Sequence, residues 1–187
     1  VTLVFAYSIL FAGIFLIQPV FEKVFDRAAS FPFWFAVIAL LAASSSYLNA
    51  QLVRKLGMRK LINIAFRAQL GLSVLMFLFY ELGYIEGTFG FALFLFWIFS
   101  IFFQAGLTMG NLTALAMEPV GHIAGTAASV ISAIATIGSV ILAAIVGQFF
   151  DGTLLVMIIG VATFALFGVV SGNQLRHFDR ISDGSSV

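Results

Sequence analysis

The sequence predicts an all-α membrane protein, a bundle of six transmembrane helices. Three observations carry that prediction. The 187 residues are 62% hydrophobic and only 9% charged, whereas soluble domains are about 45–50% apolar and about 25% charged. Mean hydropathy is +1.14. The densest charge cluster, Arg54-Lys55-Leu56-Gly57-Met58-Arg59-Lys60, lies between long apolar stretches. Lysine and arginine resist translocation, so this run marks a cytoplasmic connection and orients every span around it. The 23 phenylalanines would drive aggregation on a water-facing surface and are ordinary contacts in lipid. One crossing of the hydrocarbon takes about 20 helical residues, and six crossings with short connections fill residues 1–175. Residues 176–187 are expected as a cytoplasmic tail.

The first span is expected over residues 1–21. It starts at once, with no room for a charged signal-peptide segment, and the chain is therefore expected to be one half of something longer. Tyr7, Phe11, Ile14 and Gln18 recur at spacings of four, three and four, so they share one helical face. That face should look at protein or at a cavity rather than at lipid. Pro19 is tolerable because little helix follows it. A loop of balanced charge, Glu22 to Arg27, leads to the second span, residues 31–53, where Trp34 suits the interfacial belt. Ser44, Ser45, Ser46, Tyr47, Asn49 and Gln51 make the inner half of this span polar, and it should be buried against helices or water.

After the basic run, the third span is expected over residues 61–80. Arg67 lies about two turns inside and can snorkel to the headgroups. Glu81 and Glu86 bracket an outer turn with Tyr80 and Tyr84 as anchors. The fourth span, residues 89–117, carries Gln104, Thr108 and Asn111 on one face, and Gly106 and Gly110 as a small-xxx-small pair for close helix packing. Pro119 and the glycines after it end this helix. The fifth span, residues 125–149, repeats small residues at helical spacing: Ala128, Ser132, Ala135, Ser139, Ala143 and Gly147. Such a face packs tightly on another helix or leaves room for a ligand, and packing is the favoured reading. Asp151-Gly152 is an outer turn before the sixth span, residues 153–171. With these assignments seven basic residues lie inside (Arg54, Lys55, Arg59, Lys60, Arg67, Arg176, Arg180) and two outside (Lys23, Arg27). Both termini are therefore expected in the cytoplasm.

The same residues bound the chemistry. There is no cysteine, hence no disulfide framework and no thiolate metal site. His122 and His177 fall in separate loops without metal-ligand spacing, so no metal site is expected. No Asp, Glu, Lys or His falls near the centre of a span, where proton or ion relays are usually found. Serines abound in the spans, but no buried base accompanies them; no catalytic residue and no enzyme activity are expected. Glu118, at a cytoplasmic helix end, is either a solvated carboxylate or a gate partner for a basic loop residue. A net charge of +1, with the basic residues clustered by topology, gives no reason to expect nucleic acid. What remains is a phenylalanine-rich bundle with a few amides on cavity-capable faces, suited to an apolar or weakly polar small molecule.

Two segments resemble a known family. Gly110-Asn111-Leu112-Thr113-Ala114-Leu115-Ala116-Met117-Glu118-Pro119, followed by Ala124-Gly125-Thr126-Ala127-Ala128-Ser129, is similar to the tenth-to-eleventh helix junction of major facilitator drug exporters, of the Bcr/CflA multidrug type. Asn49 to Lys60 resembles their loop between helices eight and nine. The resemblance covers essentially the whole chain, as helices seven to twelve of a 12-helix major facilitator fold. It implies the carboxy-terminal half of a drug:proton antiporter of the bacterial inner membrane, working by alternating access around a central cavity. It implies an amino-terminal six-helix half as partner and export of diverse compounds, chloramphenicol-like and bicyclomycin-like among them. The proton gradient would drive the export, without a cofactor. The coupling carboxylates would belong to the amino-terminal half, so this chain should not transport alone. On the family's loop pattern, Ala50 takes the first glycine position, Arg54 the aspartate, Lys55 the arginine, Gly57 the second glycine, Met58 the inner arginine and Arg59 the last basic position. The acid is missing, so orientation and helix-end anchoring are what this loop retains, through Arg54, Lys55, Gly57, Arg59 and Lys60. On this reading Tyr7, Phe11, Gln18, Gln104, Thr108 and Asn111 would form the cavity wall. Gly106, Gly110, Ser132, Ala135 and Ser139 would pack helices. A major facilitator carrier of another solute, or a six-helix module that does not transport, are the alternatives.

Overall fold

The computed structural model describes residues 1–119 and 124–184, with residue 124 and residues 175–184 described by backbone alone. The described chain forms six helices: α1 (Thr2–Lys23), α2 (Phe31–Leu56), α3 (Met58–Glu81), α4 (Gly87–Met117), α5 (Ala124–Gln148) and α6 (Leu155–Gly184), with a 3-10 turn at Ala28–Ser30. Each is long and apolar enough to cross a membrane, which makes the protein an all-α, multi-pass membrane bundle in contact with lipid.

The largest difference from the sequence reading lies in the basic run. It is scarcely a loop. Arg54 and Lys55 are in the last turn of α2, Arg59 and Lys60 in the first turn of α3, and Gly57 alone links the two helices. Gly57 has φ +77°, a conformation that costs glycine nothing and strains other residues. Arg54 folds back so that its Nε donates to the Ala50 carbonyl at 3.1 Å, and its charge lies at the helix end where the dipole favours cations. The residues expected as a tail begin as a continuation of α6. α6 starts at Leu155 and continues to Gly184, because the sequence between residues 171 and 184 holds no proline to stop it.

The packing of the six helices follows a simple exchange. α1 packs on α5 and α6; α4 packs on α2 and α3. α1 and α4 meet in the centre, α3 and α6 meet behind them, and the α2–α3 and α5–α6 contacts are both slight. Exchanging α1 with α4, α2 with α5 and α3 with α6 maps these pairs onto one another. The α4–α5 contact is the departure from it. Three crossings is an odd number, so the second trio enters the membrane from the opposite face. The bundle is thus two three-helix units of opposite orientation.

Small residues allow the close approaches. A Cβ built on Gly106 of α4 would overlap the Ser45 side chain of α2, and one on Gly168 of α6 would overlap the Phe66 ring of α3. Without a hydrophobic driving force between helices in lipid, such contact and interhelical hydrogen bonds hold the bundle. On α5, Ala135, Ser139 and Ala143 are buried and Ser132 is half-buried, the small face of a helix that packs on α1. At the end opposite the basic run, aromatic rings lock α1, α2 and α4 together. Phe21 meets Phe91 edge-on at 5.3 Å, Phe25 meets Phe94 at 5.2 Å, and Trp34 meets Phe91 at 5.8 Å; each such pair contributes about 0.5–1.5 kcal/mol. The least buried spans are α2 and α5, whose most apolar windows are 17% buried against 50% for α1 and α4.

Candidate binding face and polar seam

The six residues expected on one cavity wall fall in two places. On α1, Tyr7 and Phe11 are half-buried while Ile14 and Gln18 are exposed. This is an open face. Tyr7 stacks on Phe11 with centroids 6.1 Å apart, and Phe11 meets Phe15 at 6.0 Å, giving a three-ring ladder along the helix. Phe15 lies outside the expected stripe but continues the ladder one turn on. Beyond it a shallow depression of about 430 Å³ is lined by Ile14, Phe15, Gln18, Pro19, Glu22, Lys23 and Phe150. Stacked rings with one amide at the end offer flat apolar area and a single donor–acceptor pair to a guest.

On α4, Gln104, Thr108 and Asn111 are inside the bundle, 3%, 0% and 6% exposed. They are enclosed within the bundle, whereas the α1 stripe is open at Ile14 and Gln18. Spacing shows that residues share a face but not what covers it. Gln104 Nε2 donates to Thr108 Oγ1 at 3.3 Å, and the Thr108 hydroxyl donates to the Gln104 carbonyl at 2.9 Å. Asn111 Nδ2 donates across the α2–α4 contact to Asn49 Oδ1 at 2.7 Å. Of the polar run in α2, Ser45 is buried against Gly106 and Asn49 is half-buried, whereas Ser44, Ser46 and Tyr47 are exposed.

These α4 residues belong to a longer polar seam. Towards α3, Trp97 Nε1 donates to Ser73 Oγ at 3.2 Å and Ser100 Oγ donates to Gln69 Oε1 at 3.2 Å. Gln69 Nε2 and Gln104 Oε1 are buried with no hydrogen-bond partner among the described residues. Gln69, Ser73 and Ser100 were not singled out in the sequence, though a signal was there. Trp97, Ser100, Gln104, Thr108 and Asn111 follow a three-or-four spacing down α4, with Glu118 seven residues further at its C-cap, and Gln69 and Ser73 are four apart on α3. At the foot of the seam, Arg59 Nη2 and Glu118 Oε2 pair at 3.2 Å, so Glu118 does meet a residue of the basic run. With the two side chains 35% and 50% exposed, this pair is worth at most about 1 kcal/mol.

The remaining expected residues are placed as follows. Lys55 and Lys60 are exposed. Gly106 meets Ser45, but Gly110 is exposed with nothing within 4 Å of a built Cβ, so it is not a packing contact here. Arg67, which is exposed, donates to Asn173 Oδ1 at 3.1 Å, beside the Asn63 amide that donates to the Gly172 carbonyl at 3.0 Å. His122 and the side chains of Arg176, His177 and Arg180 lie outside the described residues, as do residues 120–123 of the α4–α5 junction. Among the described residues no group of three or more His, Cys, Asp or Glu could hold a metal ion. No protein-family model, no curated protein and no solved structure matches this chain.

Proposed function

We propose that this protein is the carboxy-terminal six-helix half of a proton-driven exporter of apolar or weakly polar compounds, of the major facilitator type. The observation that supports the reading most is the exchange of packing partners between α1–α3 and α4–α6. Two inverted three-helix units in one bundle are the internal architecture of a major facilitator half, in which substrate sites form between repeats and access alternates by rocking. The sparsely buried α2 and α5 fit the same reading, since a second half needs open helices to dock on. The open α1 face then becomes the wall that this half contributes. Tyr7, Phe11 and Phe15 would stack on flat guests, and Gln18 would hydrogen-bond them. The amides of α4 support the wall from inside the bundle instead of touching the guest.

Efflux from hypersensitive bacterial cells tests the proposal. The chain is expressed joined to its amino-terminal half, and retention of fluorescent lipophilic drugs is followed. Gradient-dependent efflux, abolished by a protonophore and absent from the 187-residue chain alone, is the expected result. Tyr7→Ala and Phe11→Ala should shift the ranking among drugs, because area and stacking differ between guests. Retention of every compound at control levels would rule the exporter out and leave the non-transporting module.

A further inference from the structure

We propose that the end of the bundle opposite the basic run carries a binding site for a zwitterion of the phosphoethanolamine class. The site is a basin of about 770 Å³ where all three connections at that end converge. Lys23 and Arg27 reach it from the α1–α2 connection, Glu81 and Glu86 from the α3–α4 turn, and Thr153 from the α5–α6 turn. Cations and carboxylates thus line one cavity, yet they do not neutralise one another. Among the described residues neither Glu81, Glu86 nor Arg27 forms an ion pair, and Lys23 pairs only with its neighbour Glu22 at 3.7 Å. The Arg27 guanidinium lies over the Phe91 ring at 4.6 Å. That contact fixes the group while leaving its N–H edge to a ligand, since the ring engages the cation's face.

A guest that bears both signs can satisfy what the basin leaves open. A phosphate offers acceptors to Arg27 and Lys23. A primary ammonium donates hydrogen bonds to Glu81 and Glu86, which a quaternary ammonium cannot do. The basin sits at the ends of membrane-spanning helices, hence at headgroup level, and its remaining wall is apolar at Phe25, Ile85 and Leu154. Such a wall suits the glycerol and upper acyl region of a lipid. The chemistry is shared by an intact phosphatidylethanolamine and by a free phosphoethanolamine. The inference is independent of any transport activity.

Native mass spectrometry of the purified chain tests it. The protein is released from nanodiscs of phosphatidylcholine mixed equally with phosphatidylethanolamine or with phosphatidylglycerol, and retained lipid is counted. Preferential retention of phosphatidylethanolamine over both others is expected. Arg27→Gln, and the double variant Glu81→Gln with Glu86→Gln, should each reduce that preference by about tenfold, the loss of one charge-assisted interaction. These side chains are exposed, and unchanged helix content by circular dichroism confirms that each variant folds. Soluble O-phosphoethanolamine that displaces the lipid identifies the headgroup alone as the ligand; failure to displace it identifies the intact lipid. Equal retention of the three lipids, or a preference untouched by both variants, would overturn the proposal.

Discussion

Asn111 joins α4 to α2 by a 2.7 Å hydrogen bond to Asn49, the one side-chain hydrogen bond between those helices among the described residues. Such bonds average about 0.6 kcal/mol within membranes and reach about 1.7. A double-mutant cycle of Asn49→Ala and Asn111→Ala, measured by unfolding in mixed micelles, should return a coupling energy in that range. Additive effects would place the two amides apart. At the far end, Asp151 accepts from the Thr153 hydroxyl at 2.7 Å and from the Thr153 backbone N–H at 2.9 Å. These bonds, the hydroxyl first, hold its carboxyl below the usual carboxylate range. A carboxyl lowered by folding stabilises the turn above its unfolded pKa, and the contribution fades as pH falls through the lowered value. Thr153→Val removes the hydroxyl and keeps the backbone donor, so the Asp151 pKa should rise towards the ordinary value, read by carboxyl-carbon NMR titration. The Thr153 partnership was not legible beforehand. The sequence marks Asp151-Gly152 as a turn, but which donor reaches the carboxylate depends on backbone geometry two residues on.

Gly106 and Gly110 look alike as a small-xxx-small pair, and only the first does that work. Gly106 lies on Ser45, while Gly110 meets nothing. Gly106→Val should therefore push α2 off α4 and cost about 1–3 kcal/mol, the usual range for overpacking. Gly110→Val should change thermal stability little. Equal losses at both positions would mean that α2 runs along both glycines. The contrast shows where element-scale reading stops. The six helices were legible, because each is an apolar run of membrane length ended by charge, glycine or proline. The polar character of one face of α4 was legible too, since Gln104, Thr108 and Asn111 keep helical spacing. What covers that face was not, because its partner lies on another helix: Asn111 bonds Asn49 of α2, 62 residues away. Helical period is a property of one helix and says nothing of its neighbours. The basic run was misread in shape for a related reason. Seven residues rich in charge suggest a loop, but Arg and Lys are good helix formers, and one glycine at φ +77° suffices for the reversal.

At the scale of the molecule, the α1–α3 and α4–α6 units pack through α1 against α4 and α3 against α6, and leave α2 and α5 the least buried. Neither the exchange of partners nor its inversion can be seen in single-span patterns. Both emerge only once the contacts between spans exist. On this arrangement the two polar stripes differ in exposure. The α1 stripe is open at Ile14 and Gln18, while Gln104, Thr108 and Asn111 are enclosed and Asn111 bonds α2. The chain contains no cysteine, so single introduced cysteines report without background. The most direct test of the proposed exporter is maleimide labelling of Phe11→Cys, Gln18→Cys, Gln104→Cys and Thr108→Cys in the chain joined to the amino-terminal half that the proposal assigns it, with and without a lipophilic drug. The account predicts that positions 11 and 18 react and that the drug protects them, while positions 104 and 108 stay unlabelled in both conditions. Labelling at 104 and 108 that the drug blocks, with 11 and 18 indifferent to it, would contradict the account and return the binding wall to α4.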